Sequence, residues 1–224
     1  MSKNSIIEEK LTSTFEVMKD IIIICIGLMI SSFGTALFYQ AGMGSSAMAT
    51  FSDGLHLLFN ISYGTANMTA NLVFLVVLFI CDRRMINIGT VLCVFMIGIF
   101  VDLGNTVFGL LPIATAHVSI RFICILVGCT MMGIGLALYV AVDRGFGALE
   151  GLVKYLCAKT NISFDKVKIG QDLLLLSLGI LLRASWGIGT FISAITIGPI
   201  MKVFIAKFQK ILKSNCNEIS NPDG

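Results

Sequence analysis

Apolar residues fill this chain in long stretches, and polar residues gather at their ends. Six stretches, 19–39, 64–80, 86–108, 118–140, 168–182 and 188–208, are read as transmembrane helices, since a bilayer core of roughly 30 Å is crossed by runs of about 18 or more apolar residues. Two shorter segments, 41–60 and 142–161, interrupt the series. The helical part of the first, 46–59, reaches only about 21 Å, and it carries Asp53 and His56. It is too short and too polar for an ordinary span, and is read as a re-entrant or surface-lying helix. Residues 147–160 form its counterpart.

The polar positions show that the chain repeats itself. Gly34-Thr35-Ala36-Leu37 recurs as Gly135-Leu136-Ala137-Leu138, Gly44 as Gly145, and Asn60-Ile61-Ser62 as Asn161-Ile162-Ser163, each pair 101 residues apart. Further on, Ile88-Gly89-Thr90 matches Ile188-Gly189-Thr190 and Ile97-Gly98 matches Ile197-Gly198, at a spacing of 100. Leucine and isoleucine matches arise by chance in so apolar a chain, but matches at Gly, Asn, Ser and Thr do not, so they mark a duplication.

Charge then sets the orientation. On the side of the N-terminus lie Lys3, Lys10, Lys19, Arg83, Arg84, Arg144, Lys154, Lys159, Lys166, Lys168, Lys207, Lys210 and Lys213, with Lys202 near enough to snorkel there. The other side has only Arg121 and Arg183, and residues 41–63 contain no Lys or Arg. Basic residues favour the cytosol, so both termini are expected there. Each repeat holds three spans, an odd number, and so the two repeats must lie upside down relative to one another. The expected architecture is an all-α polytopic membrane protein: six transmembrane helices as two inverted three-helix repeats, each with an extra short or re-entrant helix. Residues 1–18 are a cytosolic lead, 19–110 and 118–210 the repeats of one membrane domain, and 211–224 a cytosolic tail, disordered from about 215.

Composition agrees: 56% of residues are hydrophobic and 13% charged, against roughly 25% charged in soluble domains. The net charge of +3 comes from basic residues at segment ends and gives no nucleic-acid footprint. Seven cysteines show no metal-ligand spacing and read as small apolar packers. Acidic residues in the first twenty positions argue against a signal peptide. No nucleophile–base arrangement, phosphate loop or dinucleotide fingerprint appears, so an enzyme is not expected, nor a cofactor or metal.

Candidate binding residues follow from the duplication. Inverted-repeat folds bind solute between the repeats, at broken helices whose N-terminal ends face it. Here those ends are Gly42, Gly44, Ser45 and Ser46 in the first repeat and Arg144, Gly145 and Gly147 in the second; the glycines serve equally to turn the chain. Within the spans, Asn71 and Asp172 are repeat equivalents, with Asn67 and Gln171 beside them. A carboxylate inside a membrane is a site hypothesis by default, which singles out Asp172 and Asp102. The plainer readings are an ion pair of Asp172 with Lys168, one turn earlier, and a helix-end role for Asp102 with Asn105. His56 and His117 read as surface residues of the outer connections, and Tyr39 and Trp186 as interface aromatics.

The second repeat carries a family resemblance: Gly133-Ile134-Gly135-Leu136-Ala137-Leu138-Tyr139, then Gly145-Phe146-Gly147, Asp172 seven residues before Gly179, Gly187-Ile188-Gly189-Thr190 and Ile197-Gly198-Pro199. In these residues the chain resembles the YczE/YyaS/YitT group of bacterial integral membrane proteins, from about residue 21 to 208. The group has a Pro and an Asp after the glycine turn; here those places read Gly147-Ala148 and Leu149-Glu150, so a carboxylate role there has either moved to Glu150 or is absent. The resemblance implies the fold and a bacterial cytoplasmic membrane. The function expected is a small-solute transporter or permease working by alternating access, substrate unknown. A substrate-binding membrane subunit of a larger uptake system, or a non-transporting regulatory or scaffold protein, are the alternatives. The expected partners are the lipid bilayer and an unknown small solute, with lateral surface enough for a homodimer.

Overall fold

The computed structural model describes residues 3–86, 88–142 and 147–220, and in these it is helical throughout. The α-helices are α1 (Lys3–Ala41), α2 (Ala47–Phe59), α3 (Tyr63–Cys81), α4 (Ile88–Gly109), α5 (Val118–Ala141), α6 (Ala148–Thr160), α7 (Phe164–Leu181) and α8 (Ile188–Ser220), with a 3₁₀ turn at Arg83–Met85. The two short helices start one residue from their expected places. Helix α1 runs unbroken from Lys3, through the lead, into the first span. Likewise the tail expected to be disordered continues α8 as far as Ser220.

The repeated Asn-Ile-Ser tripeptide has a local cause. Asn60 and Asn161 close α2 and α6 in the left-handed conformation, at φ 53° and 55°, which asparagine tolerates better than most side chains. Two residues on, Ser62 and Ser163 stand at the N-caps of α3 and α7, a favoured place for serine. Ser62 accepts a hydrogen bond from the Thr65 N–H at 3.1 Å.

Glycine sets the centre of the molecule. Helices α1 and α5 cross so closely that a Cβ on Gly34 would lie 2.7 Å from the Gly128 carbonyl oxygen, and one on Gly27 2.8 Å from that of Gly135. Small residues permit this approach where lipid supplies no hydrophobic drive. As the residue number rises along α1 it falls along α5, so the two helices run antiparallel. The contacts also exchange under the 101-residue offset, Gly27 with Gly135 becoming Gly128 with Gly34. Helix α4 packs on α1 as α8 packs on α5, and α2 packs on α7 as α6 packs on α3. At the residue level, Gly179 meets the backbone of Thr50, and the equivalent pair is Leu78 against Gly151.

Among the described residues, five helices are long and apolar enough to cross a membrane: Val17–Ala41, Tyr63–Cys81, Gly89–Gly109, Val118–Ala141 and Ile188–Ile211. The expected span at 168–182 is not among them. Its helix, α7, spends its first turns on Lys166, Lys168 and Asp172, so its apolar run is cut short.

Candidate functional site

The turn after α1 builds the most distinctive polar feature. The helix ends at Ala41, and Gly42 and Gly44 take positive φ, 58° and 92°, a region open to glycine without cost. Arg121 of α5 grips the helix end: its Nε donates to the Ala41 carbonyl at 2.7 Å and its Nη2 to that of Gly42 at 3.0 Å. A cation there satisfies carbonyls the helix leaves free. The Met43 carbonyl accepts from the Gly189 N–H at 2.9 Å. A Cβ on Gly44 would lie 2.5 Å from both the Gly187 nitrogen and the Thr190 hydroxyl. The first half's turn is thus pressed against the α7–α8 loop of the second half. Ser46 caps α2, accepting from the Ala49 N–H at 3.4 Å. Ser45 and Thr50 share a buried hydroxyl contact at 3.2 Å.

Between these parts lies a small cavity lined by Phe38, Tyr39, Gly42, Gly44, Ser45, Asp53, Tyr63 and Ser185. Its enclosed volume is about 20 Å³, room for about one water-sized particle. Asp53 is 5% exposed, and its Oδ2 accepts from the Ser185 N–H at 2.7 Å. Burial raises its pKa above the ordinary carboxyl value, against the lowering influence of Ser185 and of His56. Beside it three rings stack: Tyr39 on Tyr63 with centroids 4.3 Å apart, and His56 on Tyr63 at 3.9 Å. The ends of this stack are tied down, as the Tyr39 hydroxyl donates to the Ala49 carbonyl at 3.1 Å and His56 Nδ1 bonds the Ile61 carbonyl.

Of the residues expected to bind solute, Gly42, Gly44 and Ser45 line this cavity, and Ser46 serves the helix cap. Asn67 and Asn71 are buried, but bond each other: Asn71 Nδ2 donates to Asn67 Oδ1 at 2.8 Å and to its carbonyl at 2.9 Å. Asp102 has the plainer role. It holds the start of α3, accepting from the Gly64 N–H at 2.7 Å and the Ser62 hydroxyl at 2.6 Å. Asp172 is not a buried carboxylate. It pairs with Lys168 at 2.9 Å, the two side chains 40% and 32% exposed. Gln171 donates to the Leu149 carbonyl at 3.2 Å, and its Oε1 is buried without a partner. Gly147 is the N-cap of α6 and Glu150 lies in its first turn; the Tyr139 hydroxyl beside Gly147 is also buried without a partner. Arg144 and Gly145 lie outside the described residues.

Asp53, Tyr39, Tyr63, His56 and Ser185 were not expected together. His56 is half-buried in the stack, contrary to the surface role expected of it. One signal was available: residues 21–81 contain no Asp, Glu, Lys or Arg except Asp53. A lone charge in so long an uncharged stretch needs a reason.

Apolar helices of spanning length, crossing through glycine, define a multi-pass helical membrane protein. Residues 18–206 match DUF6198, described as a family of unknown function, and the chain belongs to that family. It is 30% identical over 187 residues to an uncharacterized protein of Haemophilus influenzae, covering 84% of each chain. It is 25% identical to the uncharacterized membrane protein YczE of Bacillus subtilis, over 83% of this chain and 85% of that one. The identity is again 25% with the uncharacterized protein YyaS of Bacillus subtilis, over 80% and 89%. The resemblance to YczE and YyaS therefore holds over most of the chain. No solved structure matches.

Proposed function

We propose that this protein is a small-solute transporter or permease of the bacterial cytoplasmic membrane, built as two inverted three-helix repeats with both termini cytosolic. In this reading α7 is the sixth crossing, its charged first turns at the cytosolic surface with the other lysines. The antiparallel crossing of α1 and α5 supports inversion, as does the exchange of contacts between the halves. No catalytic step is assigned.

The observation that carries the reading is the Asp53 cavity. It is made jointly by the glycine turn of the first repeat and the α7–α8 loop of the second, so any rocking of one repeat on the other changes its shape and access. Inverted-repeat carriers hold solute between their repeats. A buried carboxylate in a mostly apolar chain costs stability, and a binding role accounts for that cost. The test is uptake by liposomes containing the purified protein, against pooled small metabolites and salts, beside Asp53→Asn. Saturable uptake by the wild type, lost in the variant, is expected. Uptake no greater than in empty liposomes across all pools, or equal uptake by the variant, overturns the reading.

A further inference from the structure

We propose that the Asp53 cavity is a binding site for a small monovalent cation of the sodium, potassium or ammonium class. This rests on the cavity being the functional site, and goes further by naming its occupant. Among the described residues Asp53 accepts hydrogen bonds from Ser185 alone, and no Lys or Arg pairs with it. A buried carboxylate is stable only when paired, well hydrogen-bonded or neutral; the positive influence on this one comes from His56 alone among the described residues, and no fixed charge of Lys or Arg faces it. The rest of the lining supplies none, since it contains no Lys or Arg. The guanidinium of Arg121, beside the lining residue Gly42, is committed to the Ala41 and Gly42 carbonyls. Ser45 also lines the cavity, its hydroxyl in contact with that of Thr50.

Size and charge narrow the occupant. One carboxylate balances one positive charge, whereas calcium sites gather several oxygen ligands, carboxylates among them. The enclosed space of about 20 Å³ fits one water-sized particle such as a small ion, and no large organic cation. A proton is the natural competitor, because burial already favours the neutral acid. The titratable neighbours are Tyr39 from α1, Tyr63 from α3 and His56 on α2 itself, with Arg121 on α5 committed as above and Arg183 exposed after α7.

The experiment is thermal unfolding of the purified full chain in detergent. Sodium, potassium and ammonium chlorides are titrated separately at constant ionic strength, balanced with N-methylglucamine chloride. At least one cation is expected to raise Tm saturably, by about 5 °C at a hundredfold excess over its Kd, with the rise shrinking at acid pH and absent in Asp53→Asn. Equal Tm in all four salts overturns the proposal, as does an undiminished rise in the variant. If Asp53→Asn does not fold, calorimetric titration of the wild type decides: saturable heat at one ion per chain supports the site, and its absence overturns it. The two proposals fail separately. Cation binding without any liposome flux defeats transport and upholds the cation site, whereas solute flux with no cation response does the reverse.

Discussion

The two halves keep the same scaffold and spend their polar residues differently. Asn67 and Asn71 on α3 form a buried amide pair, and their equivalents on α7, Lys168 and Asp172, form a half-exposed ion pair with the same one-turn spacing. Gly98 of α4 is pressed onto Gly64 of α3, while a Cβ on Gly198 of α8 would meet nothing within 4 Å. Asp102 seals the α3–α4 seam by holding Ser62 and Gly64. Its equivalent, Lys202, is exposed, and α7 and α8 share no comparable interface. The lesson is one of environment. A closed seam tolerates only neutral or fully bonded groups, and an open one leaves the same positions free to carry charge.

The sharpest way to break this comparison is to put a methyl group into each seam. Gly64→Ala places a Cβ about 2.1 Å from the Gly98 carbonyl oxygen, so a loss of about 3 kcal/mol, or of folded protein altogether, is expected. Gly198→Ala meets open space and should stay within about 0.5 kcal/mol of wild type by thermal unfolding in detergent. Equal losses would show that the second seam is also closed.

The acid and its basic equivalent give the next contrast. Asp102→Ala removes the group that holds the first turn of α3 and should cost about 2 kcal/mol. Lys202→Ala should cost less than about 0.5 kcal/mol. If both variants melt alike, the capping role assigned to Asp102 is wrong.

Smaller effects separate the two side-chain pairs. Asn71→Ala leaves the buried Asn67 amide short of a partner, for a loss of about 1 kcal/mol. Asp172→Ala breaks a partly solvated ion pair, for about 0.5 kcal/mol or less, and raised salt should reduce even that. A larger loss from Asp172→Ala than from Asn71→Ala would invert the assignment.

The last contrast is one of pH, within the first half. Asp53 holds its proton to higher pH when folded than its ordinary value of 3.8. Between those two values the folded chain keeps a proton that the unfolded chain has released. Its contribution to stability is therefore full at low pH and is lost as pH rises through the raised value. Melting temperatures from about pH 4 to 8 should fall more steeply for wild type than for Asp53→Asn. Parallel curves would mean that folding does not raise the pKa of this carboxyl.

Much of the architecture was written in local patterns. Apolar runs located the long helices, and a short polar run located each of α2 and α6. Asn60, Ser62, Asn161 and Ser163 marked helix ends because the chemistry of a left-handed turn and a cap is settled by neighbours in the chain. The glycines of α1 and α5 were visible as small-residue stripes, though their pairing was not.

The polar site required the tertiary structure. Asp53 receives its backbone hydrogen bond from Ser185, 132 residues away, and the ring stack draws on α1, α2 and α3 together. Asp102 and Asp172 looked alike as acids in apolar helices. One is a cap and the other a solvated pair, because an ionisable group's role depends on which dipoles and how much water surround it. Helix-forming tendency, apolar length and turn chemistry are short-range properties, so the linear chain determined where the elements lie and how α2 and α6 end, though not that α1 starts at Lys3 or that α8 runs to Ser220. Burial of charge is long-range, and only the packing of one half against the other decided which carboxylate was left in want of a partner.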